Sequence, residues 1–178
     1  GTGKTAAISI TNLQLLHEDK TPERGPRQIK VLVLTPTREL AIQIEESFES
    51  YGKFTGLTHT VIVGGVSQLN QTNILRRGVD ILIATPGRLI DLIKRNAINI
   101  KQAKYLILDE ADEMVTALKD GFDESIAELP KNRRTFLFSA TMPGTIKQLI
   151  QNYMSKQVMQ ISADMKTVGN QGIDHQYV

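Results

Sequence analysis

Six short apolar runs recur along the chain, and they constrain its fold more than any other feature. They are Val31–Thr35, Thr60–Val63, Ile81–Ala84, Tyr105–Leu108, Thr135–Phe138 and Val158–Ile161. Each is rich in β-branched or aromatic residues and apolar on both faces, so each must be covered from both sides. That is the signature of strands buried in a parallel sheet. Between them lie segments with helical spacing: Lys4–Leu16, Glu39–Phe54, Gln68–Arg77, Arg88–Arg95 and Thr145–Met154. The alternation predicts an α/β fold, a mostly parallel sheet with helices on both faces. In such sheets the loops at the carboxyl ends of the strands carry the chemistry.

Composition narrows the function classes. A length of 178 residues suits one domain with a real core. With 40% hydrophobic and 22% charged residues, the chain reads as soluble and globular. No apolar run approaches the roughly 18 residues that span a bilayer, and the first ten residues, GTGKTAAISI, lack the basic and long apolar regions of a signal peptide. The expectation is a chain with no membrane association. The absence of cysteine excludes disulfides, thiolate zinc sites and cysteine nucleophiles, and it fits a cytoplasmic location. His17, His59 and His175 are too scattered for a metal site. Lys plus Arg number 21 against 19 Asp plus Glu, and a net charge of +2 does not by itself indicate a nucleic-acid binder. Any such function must rest on local motifs. His17–Gln28 is polar with two prolines and reads as an exposed connection. Asp164–Gly172 reads as a linker, and Ile173–Val178 as the start of a further strand.

Two local motifs point to phosphate chemistry. The chain opens Gly1-Thr2-Gly3-Lys4-Thr5 before a helical segment, the back half of a P-loop. Glycines let backbone N–H groups close around phosphate oxygens, and the helix start adds a positive dipole end. Lys4 would reach the β- and γ-phosphates of ATP, and the Thr5 hydroxyl would ligate Mg²⁺. The alternative, for these five residues read alone, is a flexible terminus. The second motif, Asp109-Glu110-Ala111-Asp112, follows directly on the run Tyr105–Leu108. A carboxylate at the end of a buried strand suits Asp109 to hold Mg²⁺ and Glu110 to orient and deprotonate water. The alternative is an acidic first turn of a helix.

The tetrad spells DEAD. Pro36-Thr37-Arg38-Glu39-Leu40, Gly64-Gly65, Thr85-Pro86-Gly87-Arg88 and Ser139-Ala140-Thr141 each sit at the end of a predicted strand. This ordered set resembles the first RecA-like domain of DEAD-box ATP-dependent RNA helicases, in its bacterial form, over nearly the whole chain. The resemblance implies a RecA-like P-loop fold and ATP hydrolysis coupled to local unwinding of RNA duplexes. It implies that Lys4, Asp109 and Glu110 are catalytic, and that Gly1 to Thr5 bind ATP, with Thr5 and Asp109 on Mg²⁺. It also implies that Pro36, Thr37, Arg38, Gly65, Thr85, Gly87 and Arg88 line an RNA track. Asp112, Ser139 and Thr141 would link the acidic loop to the SAT loop and couple hydrolysis to unwinding.

The track chemistry is consistent with this. Arg38 and Arg88 offer forked donors to phosphates, while Gly65 and Gly87 permit close backbone approach. Such contacts read backbone, so RNA would be bound with little sequence specificity. Taken singly, Arg38 could instead pair with Glu45 or Glu46, Pro86-Gly87 could be a plain turn, and Ser139 and Thr141 could cap the helix near Pro143.

The chain departs from the family pattern in several places. The front of the P-loop, the strand before it and the upstream adenine-reading motif are missing, and the Gly-Phe that usually follows the tetrad closely is displaced to Gly121-Phe122. The resemblance therefore assigns 1–165 to the ATP-binding RecA-like domain without its first strand. Residues 166–178 become a linker and the start of a second RecA-like domain, the expected partner within a full-length protein. A chain lacking that partner is alternatively a weak RNA- or partner-binding module without turnover.

Overall fold

The computed structural model describes residues 28–52, 56–64, 68–114, 128–153, 158–163 and 173–177. The P-loop residues Gly1–Thr5, the expected helix Lys4–Leu16 and the expected linker 164–172 lie outside them, as does most of the connection His17–Gln28. The strands are β1 (Val31–Leu34), β2 (His59–Ile62), β3 (Ile81–Ala84), β4 (Tyr105–Asp109), β5 (Arg134–Phe138), β6 (Val158–Ala163) and β7 (Ile173–Tyr177). The helices are α1 (Arg38–Gly52), α2 (Gln68–Arg77), α3 (Pro86–Lys94) and α4 (Gly144–Tyr153), with a 3₁₀ turn at Ala111–Met114. Every strand falls on an expected run within a residue or two.

One seven-stranded sheet runs in the order β2-β3-β1-β4-β5-β6-β7. The first six strands are parallel throughout, and β7 is antiparallel to β6, with Ile161 opposite His175. The segment expected to begin the next domain is therefore the seventh strand of this sheet. It returns beside β6 because an antiparallel edge strand needs no helical crossover.

Strand geometry divides the apolar runs between two cores. Successive side chains point to opposite faces. Leu32, Leu34, Leu82, Ala84, Leu106, Leu108 and Leu137 join one core, where Leu89 and Leu92 of α3 and Ile146 of α4 cover them. Leu75 of α2 packs against the same core. Val31, Val33, Ile81, Ile83, Ile107, Phe136 and Phe138 form the other, beneath Ala41, Ile44 and Phe48 of α1.

The division follows the direction of travel. From β1 to β2 the chain moves toward one edge, over α1. From β2 to β3, β3 to β4 and β5 to β6 it moves the opposite way, over α2, α3 and α4. Right-handed crossovers require this: reversing direction along the sheet reverses the face. The direction reverses at β1, whose neighbours β3 and β4 both lead the other way, and such a reversal is a switch point where α/β sheets open a crevice.

The amino edge is closed by one residue that the motifs did not single out. Asp80 is 1% exposed. Its carboxylate accepts from the Thr58 N–H at 2.8 Å and the Thr58 hydroxyl at 3.1 Å, with Lys30 Nζ at 3.6 Å. Its own backbone joins the starts of β1, β2 and β3. A buried charge is tolerable only with such partners.

Packing energetics give the first test. Phe48 is fully buried, whereas Ile74 on α2 is 40% exposed. Phe48→Ala should lower unfolding free energy by about 3–5 kcal/mol, and Ile74→Ala by less than about 0.5 kcal/mol. Urea denaturation of both variants reads the contrast. Equal losses would mean that α1 does not pack as described.

Candidate functional site

Six parallel strands place every strand-to-helix loop on one edge. In spatial order these loops are 63–64, 85–88, 35–38, 109–112 and 139–141. The loops expected to line the RNA track are thus contiguous on β2, β3 and β1. The acidic and SAT loops follow on β4 and β5, next to β1, where the chain direction reverses.

On the first half of the edge, chain direction changes within a few residues. Thr35 continues the ladder, its N–H bonding the Ala84 carbonyl at 3.1 Å. Thr37 then starts α1: its hydroxyl accepts the Leu40 N–H at 3.2 Å, and its carbonyl the Ala41 N–H at 3.1 Å. This is an N-cap, so the Thr37 hydroxyl is committed to the fold. Arg38 is exposed. The alternative partner Glu45 instead faces His59 at 3.7 Å, and Arg38 makes no ion pair among the described residues. Thr85 precedes α3 with extended backbone, and Pro86 opens the helix. Unlike Thr37, Thr85 makes no side-chain cap bond.

Arg88 differs from Arg38. Its side chain is 8% exposed, with Nη1 on Asp91 Oδ2 at 2.5 Å and Nη2 on Gln71 Oε1 at 3.4 Å. Both arms of its fork are used inside the protein. Gly65 lies outside the described residues. At Gly64 and Gly87 an added Cβ would meet nothing within 4 Å, and neither glycine has the positive φ that excludes side chains. Internal structure therefore does not require glycine at either position.

On the second half, β4 ends at Asp109, which is 1% exposed. Glu110 follows with φ 52°. A non-glycine residue in this left-handed region costs about 1–2 kcal/mol. The turn swings the chain from the strand directly into the 3₁₀ turn, whose Glu113 N–H bonds the Glu110 carbonyl at 3.0 Å. Among the described residues no group of three or more His, Cys, Asp or Glu gathers into a metal cage.

Three hydrogen bonds tie this turn to the SAT loop. The Thr141 hydroxyl donates to Asp112 Oδ2 at 2.8 Å, and the Thr141 N–H to the same oxygen at 3.2 Å. The Asp112 N–H donates to Ser139 Oγ at 3.3 Å. Ser139 Oγ in turn donates to the Thr141 carbonyl at 2.6 Å. The three residues expected to link the loops do so unequally: the Thr141 hydroxyl bonds the Asp112 carboxylate, while Ser139 bonds main chain on both sides. Neither hydroxyl caps α4, whose first bonds go to the Pro143 carbonyl.

A family model described as "DEAD/DEAH box helicase" matches residues 1–149. The chain belongs to this family. It is 37% identical over 179 aligned positions to the "DEAD-box ATP-dependent RNA helicase CshA" of Streptococcus pneumoniae, covering 100% of this chain and 33% of that protein. With the human "Probable ATP-dependent RNA helicase DDX47" it shares 43% identity over 151 positions, covering 84% of this chain and 32% of the relative. Among solved structures, a DEAD box protein from the hyperthermophile Methanococcus jannaschii superposes with a TM-score of 0.78 at 38% identity, over 92% of this chain and 43% of that one. The yeast DEAD-box splicing factor Prp28 superposes with a TM-score of 0.80 at 33% identity, over 95% of this chain and 40% of that one. The sheet described above is thus the RecA-like fold of DEAD-box proteins, and the chain spans about a third of the length of the curated relatives it matches.

Gln71 and Asp91, which hold Arg88, carry no motif and were not apparent in the sequence. The one available signal is that Gln71 stands four residues before Leu75, a polar residue at an apolar-stripe position of α2.

The bridge between the loops yields a second test. Ser139 is 2% exposed, whereas Thr141 is exposed. Ser139→Ala removes a buried hydroxyl and leaves part-buried main-chain groups of Asp112 and Thr141 unpaired, and should cost about 1–3 kcal/mol. Thr141→Val removes a solvent-screened bond and should cost under about 1 kcal/mol. Urea unfolding of both variants checks this order, and the reverse order would contradict the hydrogen-bond pattern.

Proposed function

We propose that this chain is the nucleotide- and RNA-binding first RecA-like domain of an ATP-dependent RNA helicase that opens short duplexes without reading sequence. The observation that supports it is the division of one sheet edge. On β3 and β1 stand the uncommitted cation Arg38 and a glycine, Gly87, that the fold does not need. On β4 stand the carboxylates Asp109 and Glu110.

The donor set at β4 fits a hard divalent cation. Mg²⁺ takes oxygen ligands and is commonly held by one or two carboxylates together with substrate phosphates, so no protein cage is needed. Asp109, with Thr5, would hold it, and bound Mg²⁺ would neutralise charge building on the phosphates. Gly1, Thr2 and Gly3 would offer main-chain N–H groups to the phosphates and Lys4 its ammonium. Glu110, set apart from Asp109 by the left-handed turn, would orient the attacking water and take its proton.

RNA would cross the other half of the edge. Arg38 supplies a phosphate contact, Pro36, Thr37, Thr85, Gly65 and Gly87 shape the surface, and Arg88 holds the 85–88 turn. The Asp112–Thr141–Ser139 bridge would join the nucleotide loop to the SAT loop and so couple hydrolysis to unwinding. Hydrolysis and unwinding are proposed for a protein of the relatives' length, whose second RecA-like domain would supply the arginine finger, worth roughly 10³–10⁵ in rate in related NTPases. The 178 residues alone would bind RNA weakly without turnover. We place the full-length protein in the cytoplasm.

Two sets of variants in the full-length protein test this reading. Glu110→Gln keeps shape and should bind ATP while losing hydrolysis, whereas Lys4→Ala should weaken ATP binding itself. Hydrolysis at the parent rate by the Gln variant would remove Glu110 from its role. For RNA, Arg38→Ala should reduce the slope of log K against log salt by about 0.7. Gly87→Ala should raise stability by about 0.4–1 kcal/mol, because it relieves unfolded-state entropy at a compatible helical position. The same change should weaken RNA binding, since a methyl group would then face the strand. RNA affinity unchanged in both variants would refute the track.

A further inference from the structure

The carboxyl edge holds a buried carboxamide to which the proposed reaction gives no role. Gln71 is 5% exposed, on the face of α2 that also carries Leu75. A buried carboxamide must find partners for both its ends. It finds them on two different loops. Nε2 donates to the Val63 carbonyl at 3.3 Å, and Oε1 accepts from Arg88 Nη2 at 3.4 Å. The neighbours dictate this orientation: a guanidinium only donates and a carbonyl only accepts, so a reversed amide would satisfy neither.

The link continues beyond Gln71. Asp91 Oδ2 takes the other arm of Arg88 at 2.5 Å, and Asp91 Oδ1 takes Arg95 Nε at 3.0 Å. The Arg88 side chain, in the first turn of α3, is thereby held against its own helix, and Gln71 ties the turn after β2 to it. The two turns so joined carry Gly64, directly after Val63, and Gly87, directly before Arg88. The β2–β3 ladder ends at the pair Ile62 and Ala84. Beyond that pair, Gln71 is the side chain that spans the two turns among the described residues.

We infer that Gln71 is a positioning residue of the RNA track: by holding the Val63 carbonyl and the Arg88 fork together, it sets the spacing of the two glycine turns over which the sugar–phosphate backbone passes. The inference rests on the RNA reading above. Gln71 is buried and touches no phosphate itself. Its loss therefore misaligns a surface without removing a charge, which separates it from Arg38.

The test uses RNA-stimulated ATPase and equilibrium binding of the full-length protein with a single-stranded oligouridylate. Gln71→Leu breaks both bonds. The KM for RNA should rise about tenfold, the loss of roughly one hydrogen bond's worth of alignment, while kcat at saturating RNA changes less than about twofold. The salt slope of binding should stay at the parent value, because no phosphate contact is lost. Gln71→Glu keeps an acceptor for Arg88 but turns a carboxylate on the Val63 carbonyl, so the KM rise must appear there too, even if the Leu variant does not fold. Parent KM values in Gln71→Glu, with RNA binding intact, would overturn the inference and leave the RNA reading standing. So would a parallel fall in kcat and melting temperature with KM unchanged, the mark of a purely structural residue. Failure of the parent to bind RNA would instead remove the RNA reading, and this inference with it.

Discussion

The parallel alignment of β1 to β6 is the constraint on which the rest of this protein depends. A parallel strand cannot be reached by a hairpin, so each pair must be joined by a crossover, and crossovers cover the faces. Both faces are then dry, which is why Val31 to Leu34 and Ile81 to Ala84 are apolar at every position and fully buried. Each such side chain contributes roughly 1.5–3 kcal/mol when removed from water. The same alignment sends all loops after the strands to one edge. Asp109, Thr85, Arg38 and Ser139 are far apart in the chain and neighbours along that edge for this reason alone.

The two edges of the sheet do different work. At the amino edge, Asp80 has its carboxylate on Thr58 and Lys30 and its backbone on the starts of three strands, an arrangement directed entirely inward. At the carboxyl edge several groups are turned outward or held under strain. Arg38 is exposed, Gly87 sits in a helix start where alanine would be accommodated, and Glu110 adopts φ 52°. Local departures of this kind are what a fold tolerates where something external must be met.

Within each half of the carboxyl edge, polar side chains act as spacers. Asp112 draws the Thr141 hydroxyl and N–H onto one oxygen and gives its own N–H to Ser139. Gln71 performs the equivalent task between the turns after β2 and β3. Both links join loops that adjacent strands bring close but do not themselves fix, because ladder hydrogen bonds end where the strands end.

Much of this was legible in the sequence. Burial on both faces leaves a plain trace, so the strands, α2 to within a residue, and the parallel α/β class all followed from apolar runs and their spacing. The DEAD, PTREL, TPGR and SAT residues were likewise legible as loops following strands, because a strand's end is marked by the change from apolar to polar residues. What only the tertiary structure decided is which of those residues spend their polar groups inside the protein. Arg38 and Arg88 look alike in the chain, yet one is exposed and the other has both arms of its fork on Asp91 and Gln71. Ser139 and Thr141 both follow β5, yet only the second reaches the Asp112 carboxylate. Thr37 and Thr85 both precede helices, yet only the first uses its hydroxyl as a cap. Side-chain commitment depends on partners from distant segments within about 3 Å, and sequence periodicity carries strand and helix identity but no such distances.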